Sequence, residues 1–151
     1  MITVQVEKWA DIVDELKTLI YGHWLELALN KDKVPLDPQW EEYSRRDEAG
    51  HLSVQTLRRD GKLVGYFLGF IVPGLHYKTC LTYTMDIFYV HPDARGHHGG
   101  KMLINCLETE LKRRGVNRAF LGSKCHKDAS WLFEHFGYEK VEVYYSKWIG
   151  G

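Results

Sequence analysis

Residues Thr82–Gly115, TYTMDIFYVHPDARGHHGGKMLINCLETELKRRG, read as a strand, a glycine-rich turn and a helix in succession. Thr82–Val90 is rich in β-branched and aromatic residues and holds no breaker, which predicts a strand. Asp93–Gly100 is turn chemistry with three glycines. Met102–Arg114 places Leu103, Leu107 and Leu111 on one helical line with Ile104 beside it, and Gly115 stands where the helix should stop. Lys112, Arg113 and Arg114 fall in the last turn, where the helix dipole favours cations. A strand that enters a helix through such a turn creates an anion site. The first N–H groups of the helix have no partner inside it and lie at its positive end. Two phosphate-binding motifs are excluded. No Gly-Lys-Ser/Thr ending is present, and Gly96, Gly99 and Gly100 do not follow the dinucleotide fingerprint.

The phrase Val90-His91-Pro92-Asp93-Ala94-Arg95-Gly96-His97-His98-Gly99-Gly100-Lys101-Met102-Leu103 resembles the acyl-CoA-binding segment of the GCN5-related N-acetyltransferases (GNAT). That segment carries Gln or Arg, two residues, Gly, one residue, then Gly or Ala. Arg95 fills its first position and Gly100 its last, while His98 stands in place of the middle Gly. A second phrase, Cys125–Tyr138, resembles the same family's Asn, two residues, Ala, three residues, Tyr, three residues, Gly-Phe. Ala129, Gly137 and Tyr138 match it; His126 replaces the Asn and Phe133 the Tyr. His-Lys-Asp within this phrase and the Tyr-x-Lys ending also resemble bacteriophage-borne members. The two phrases cover roughly the last half of the chain.

Composition is that of an ordinary soluble domain. The chain has 151 residues, enough for one domain (1–151) with a core that needs no staples. Lys+Arg and Asp+Glu are both 20, so the formal net charge is zero, which argues against nonspecific nucleic-acid binding. Cys80, Cys106 and Cys125 are an odd set with no close pair, as expected of reduced thiols in a cytoplasmic protein. The first residues lack a secretory pattern, and the longest apolar run, around Tyr66–Val72, is too short to span a membrane.

The remaining elements follow from patterning. Ile2–Val6 alternates as a strand. Asp11 is positioned to cap a helix whose face carries Ile12, Leu16, Leu19, Ile20, Trp24 and Leu27, with Gly22 able to kink it. Asp37-Pro38 predicts the start of a second helix ending near Asp47, with Trp40 and Tyr43 on one face. Trp24, Trp40 and Tyr43 are either pocket wall or plain packing. His51–Leu57 and Leu63–Val72 read as strands joined by a tight Asp60-Gly61 turn. Gly65 and Gly69 mark a bulge or a close approach. Val116–Leu121 reads as a strand parallel to Thr82–Val90, Asp128–Phe136 as a helix, and Tyr138–Ile149 as one strand or two. The expected fold is therefore α/β: a mostly antiparallel mixed sheet flanked by helices, GNAT-like by resemblance.

The resemblance implies acetyl transfer from acetyl-CoA, a co-substrate, to an amine acceptor in a ternary complex, with a homodimer as a permitted assembly. It implies that backbone donors of Arg95, Gly96, His97, His98, Gly99, Gly100 and Lys101 hold the pyrophosphate, with charge from Arg95 and Lys101. It further implies that Phe88, Tyr89 and Val90 pair with the pantetheine arm in a splay beside Val116–Leu121. On this reading Gly100→Glu would abolish CoA binding in a folded protein. The alternative is an acyl-CoA-binding or interaction module with little turnover, suggested by the departures at His98 and Phe133.

An acceptor ammonium must lose its proton, since a lysine-like amine has a pKa of about 10.4. Asp86 leads as the base because an unpaired Asp in an apolar strand is unfavourable. By period two it shares a face with Thr84 and Phe88. A purely structural Asp86 bonded to backbone is the other reading. His76, His126 and Asp128 follow. In many family members the Tyr replaced here by Phe133 protonates the departing thiolate, so the acid falls among Tyr138, Tyr144, Tyr145, His126 and solvent. Cys125-His126 makes a poor nucleophilic dyad, because adjacent residues rarely meet its geometry. His97-His98 lacks the second ligand cluster that a metal needs, so no metal is expected.

Overall fold

A computed structural model describes residues Met1–Gly151. The elements run β1 (Ile2–Val6), α1 (Trp9–Leu27), α2 (Trp40–Glu48), β2 (Leu52–Arg59), β3 (Lys62–Pro73), β4 (Leu81–Val90), a 3-10 turn (Pro92–Ala94), α3 (Gly99–Arg113), β5 (Arg118–Phe120) and α4 (Ser130–His135). The five strands lie in the order β1-β2-β3-β4-β5. All neighbours are antiparallel except β4 and β5. The β2–β3 connection is the tight turn expected: Asp60 and Gly61 both have positive φ, 50° and 83°, which matches the twist of a two-residue hairpin.

Each face of the sheet carries its own apolar layer. Leu103, Ile104, Leu107 and Leu111 of α3, with Leu132 and Phe133 of α4, pack on Leu57, Phe67, Ile71 and Tyr83. Trp9, Ile12 and Leu16 of α1 pack on Val54, Leu63, Tyr66, Leu68 and Tyr89. The first layer follows directly from the helical line read in the sequence. Burial of a side chain of this size contributes about 1.5–3 kcal/mol. No helix is long and apolar enough to cross a membrane. Cys80, Cys106 and Cys125 are all free thiols.

Several elements depart from expectation. α1 is continuous through Gly22, and Asp11 lies in its first turn rather than at its cap, which is Lys8. His23, not Trp24, is buried on its inner side. α2 begins at Trp40, two residues after Pro38, with Gln39 as its cap. β5 is only three residues long. Tyr138–Ile149 forms no strand: Val141 and Tyr145 are 72% and 93% exposed. Alternation makes a strand only where a second backbone offers a ladder, and no edge of this sheet pairs with that segment.

The glycines of β3 serve close approach. A Cβ on Gly69 would lie 2.2–2.4 Å from the ring of Tyr83, which is wholly buried beside it. The β3–β4 register breaks at the same point. Leu68 pairs with Ile87 and Gly69 with Met85, so Asp86 is the extra residue of a β-bulge.

Candidate active site

The bulge alters the side-chain alternation along β4. Met85 and Phe88 pack on the α3 layer, whereas Ile87 packs on the α1 layer. Asp86 also turns toward the α1–α2 side, where Tyr43 of α2 donates a hydrogen bond to its Oδ2. Thr84, paired with Phe70 of the α1 layer, shares its face as period two predicts, whereas Phe88 beyond the bulge does not. The inserted residue shifts the count by one.

Asp86 lines a cavity of about 300 Å³ with Asp37, Gln39, Glu42, Tyr43, Arg46 and Phe70. Burial pushes its carboxyl above the usual carboxylate range, while the Tyr43 hydrogen bond and the Arg46 charge act in the opposite direction. Arg46 donates from Nε to Glu42 at 2.9 Å and lays its guanidinium 4.4 Å from the centre of Phe70. Hydrogen bonds from Arg45 and Arg46 hold Glu42 down at about 2. The cavity thus has three acidic residues and one arginine, and that arginine is already paired.

Across the sheet edge, β4 and β5 pair only from Thr82 to Thr84 on the β4 side. β5 ends at Phe120, opposite Thr84, and the β4 stretch Met85–Val90 has no strand on that side. Phe88, Tyr89 and Val90, expected to meet the pantetheine arm, lie along this open length. Their side chains point elsewhere. Tyr89 is buried against α1, stacked on His23 at 4.7 Å. Phe88 lies 4.8 Å from Phe67 in the α3 layer. Of the three, Phe88 and Val90 turn their backbone groups to the opening, whereas those of Tyr89 face β3, as the His91–Val64 bond next along the ladder requires.

The turn between β4 and α3 puts Gly96, His97 and His98 in solvent. Gly96 has φ +84° with nothing near its missing side chain. His98 caps α3 in the left-handed region at φ 60°, the conformation for which the family's usual glycine is suited. Gly99 and Gly100 also have a packing role. A Cβ on Gly99 would come within 2.6 Å of Leu57, and one on Gly100 within 2.9 Å of Leu132 and 3.5 Å of Phe88. These glycines let the first turn of α3 sit close on the core. Gly100→Glu would therefore disturb packing as well as charge, and it cannot report on the anion site alone.

Arg95 is not a free cation. It donates from Nη2 to Glu26 of α1 at 2.5 Å and from Nε to the Val90 carbonyl at 2.9 Å, tying the turn to the end of α1. Lys101 is half-buried in the first turn of α3. His126 is exposed and its Nε2 lies 3.2 Å from the Leu27 carbonyl oxygen. Tyr138 lies on the far side of α3 and β5, lining a second cavity of about 300 Å³ with Glu108, Lys112 and Arg118. Its ring meets Phe133 edge-on at 6.4 Å. The structure brings Asp86 together with Tyr43 and Arg46, and places neither His126 nor Tyr138 in that cavity. Tyr144 and Tyr145 are exposed. Phe133 is buried against Phe88, with centroids 6.4 Å apart.

A clean test of the turn is His98→Asp. Aspartate tolerates the left-handed region and suits a helix N-terminus, so the fold should hold. A carboxylate several ångströms from a bound pyrophosphate should weaken it about ten- to hundredfold. Isothermal titration with CoA should show that loss; an unchanged affinity would move the phosphates elsewhere.

A mixed sheet whose bulged fourth strand is left open beyond β5, with the N-terminus of α3 after it, is the arrangement that the resemblance to the GNAT acetyltransferases implies. Comparison with known proteins agrees. The profile of the Acetyltransferase (GNAT) family matches residues 10–138. The chain belongs to the GNAT acetyltransferase family. No curated protein sequence matches it. Among solved structures, ribosomal-protein-alanine N-acetyltransferase from Brucella melitensis biovar Abortus 2308 superposes with TM-score 0.77 at 20% identity, covering 100% of this chain and 99% of that one. An aminoglycoside acetyltransferase from an uncultured soil metagenomic sample, in complex with sisomicin, gives 0.74 at 13% identity, with 99% and 97% covered. A predicted acetyltransferase from Clostridium acetobutylicum, crystallised with acetyl-CoA, gives 0.70 at 14%, with 97% and 96% covered. These likenesses establish the fold. The likeness to phage-borne members finds no support among these three.

Proposed function

We propose that the protein transfers the acetyl group of acetyl-CoA to a primary amine, small molecule or protein amine, by direct transfer in a ternary complex in the cytoplasm. The observation that carries this reading is the position of Asp86. It sits on the bulge of β4, faces a cavity on the α2 side, and stands beside the length of β4 that β5 leaves open. Two substrates can then meet edge-on across one strand. The thioester approaches along the open edge, and the amine enters through the cavity.

When bound, acetyl-CoA supplies the activated acetyl group. The chain supplies position and proton traffic. N–H groups of the turn and of the first turn of α3 face the pyrophosphate, at the end of a helix whose dipole favours an anion. Backbone groups of β4 that alternate away from β3, those of Phe88 and the N–H of Val90, can pair with amides of the arm, while the Val90 carbonyl is held by Arg95. Asp86 takes the proton of the incoming ammonium, and its raised pKa matches that task better than an exposed carboxylate would. Neighbouring folds that act on a ribosomal-protein alanine or carry sisomicin make amine acceptors a fitting class, and the acidic residues of the cavity favour a cation.

Phe133 favours a second reading, an acyl-CoA-binding module with little turnover, because the buried ring holds no proton to give. One experiment addresses both. Acetyl-CoA at about a hundred times its dissociation constant should add roughly 2.7 kcal/mol, a rise of several degrees in Tm that adenosine diphosphate does not match. Acetyl-CoA consumption is then followed with an alanine-terminal peptide, a lysine peptide, glucosamine and sisomicin. Stabilisation with turnover supports the enzyme. Stabilisation without turnover across the panel supports the module, and no stabilisation removes both.

A further inference from the structure

Tyr43 is bonded to the candidate base itself. Its hydroxyl donates to Asp86 Oδ2, and no other side chain or backbone group of the protein bonds that carboxylate. The ring that carries the hydroxyl is held on both sides. Trp9 of α1 stacks on it at 4.7 Å and 17°, and Phe70 of β3 tilts against it at 6.1 Å. Trp9 is itself buried and stacks in turn on Trp40 at 6.1 Å. A hydroxyl on so constrained a ring has little freedom to leave its acceptor. The bulge and this aromatic stack together decide which way the carboxylate faces.

From this geometry we infer that Tyr43 is a positioning residue for acetyl transfer: it fixes Asp86 through Oδ2 and leaves Oδ1 to accept the proton of the acceptor amine. The inference rests on the reading of Asp86 as the base. The charged and titratable groups facing Asp86 are few. α2 contributes Tyr43, Arg46 and Glu42, and the connector before α2 contributes Asp37; Tyr83 of β4, whose buried hydroxyl has no partner, lies in the α3 layer on the opposite face. β3 and α1 present the aromatic rings Phe70 and Trp9. Arg46 is engaged by Glu42, so Tyr43 supplies the one direct hydrogen bond to the carboxylate. Hydrogen bonding to the charged form favours it. Loss of the hydroxyl should therefore move Asp86 toward its protonated form and free its rotation at once.

The test is Tyr43→Phe, which keeps the stack on Trp9 and removes one atom. Two readouts are needed. The first uses the protein without substrates: the Asp86 carboxyl carbon is titrated by 13C NMR in the wild type and in Y43F. Its midpoint should rise in Y43F, and coincident titrations would overturn the proposal. The second is the pH profile of kcat/KM on the best acceptor of the amine panel, for wild type, Y43F, D86N and the double variant. Y43F should shift the acidic limb to higher pH and lose about tenfold in kcat/KM below it, with KM for acetyl-CoA unchanged. The double variant should match D86N, because Tyr43 acts only through Asp86. If D86N loses the acidic limb while Y43F superposes on wild type, Tyr43 only packs and the inference falls alone. If D86N keeps the limb, Asp86 is not the base and both readings fall together.

Discussion

Asp86→Asn should lower kcat/KM for acetyl transfer by about 10²- to 10⁴-fold near neutral pH, the range that a positioned general base supplies. The loss should shrink as pH rises toward that of a free amine, about 10.4 for a lysine-like acceptor, because the acceptor then arrives already neutral. Wild type should show an acidic limb set by Asp86. Burial raises this carboxyl, so the limb should lie above the range of an exposed aspartate, and the variant should lack it. Stability responds to the same shift. A carboxyl whose folded pKa exceeds its unfolded value favours the folded state most when protonated. Its contribution is full below the unfolded pKa and is lost as pH rises through the folded one. At neutral pH the wild-type fold therefore carries an unfavourable charge that asparagine does not. The asparagine of D86N should accept the Tyr43 hydrogen bond through its amide oxygen and leave the denaturation midpoint at pH 7 unchanged or raised. Activity lost together with stability would mean instead that Asp86 holds the sheet together, and full activity across pH would make it structural.

The second large effect concerns Gly69→Ala. One added methyl would lie 2.2–2.4 Å from three ring atoms of Tyr83, far inside contact distance. Tyr83 is wholly buried and cannot swing clear, since Phe67 packs beside it and α3 covers it. The strand pair must spread or the ring must leave its rotamer. Overpacking of this kind costs about 3 kcal/mol, near the upper end of what cores tolerate. For a domain of this length that is a fall of roughly 5–10 °C in Tm. Because Gly69 faces Met85 at the bulge, the variant should also misplace Asp86 and reduce turnover in whatever fraction stays folded. Urea denaturation with and without acetyl-CoA separates the two effects. A variant as stable as wild type would show that the bulge tolerates a side chain.

The β4–turn–α3 unit is legible in the sequence because its signals are local. β-branched and aromatic residues define β4, the turn residues interrupt it, and the leucine line predicts the face of α3. The same residues carry the family resemblance, and with it the place proposed for anion binding. Asp86 stands out by the same logic, as a charge among apolar neighbours. The direction in which it faces is not legible. The bulge that turns it arises where β3 and β4 pair, and the Gly69–Tyr83 contact that accompanies the bulge crosses 14 residues of chain. Tyr43 is visible in the sequence only as a neighbour of Trp40, since its partner Asp86 stands 43 residues away.

Two further departures have the same origin. Arg95 has the motif position of a phosphate contact, yet Glu26 reaches it from 69 residues earlier. Tyr138–Ile149 alternates like a strand, but alternation states only which faces a strand would have. Whether a ladder forms depends on an edge with the right length and direction, and β5 offers three residues. Propensity, periodicity and turn chemistry act over a few residues. They are enough to specify the order of elements from β1 to α4, the apolar layer under α3, the Asp60-Gly61 hairpin and the glycine-rich turn before α3. The bulge, the Tyr43–Asp86 bond, the Arg95–Glu26 pair and the unpaired last segment are settled only in the folded molecule, because each depends on backbones and side chains that folding alone brings within hydrogen-bonding reach.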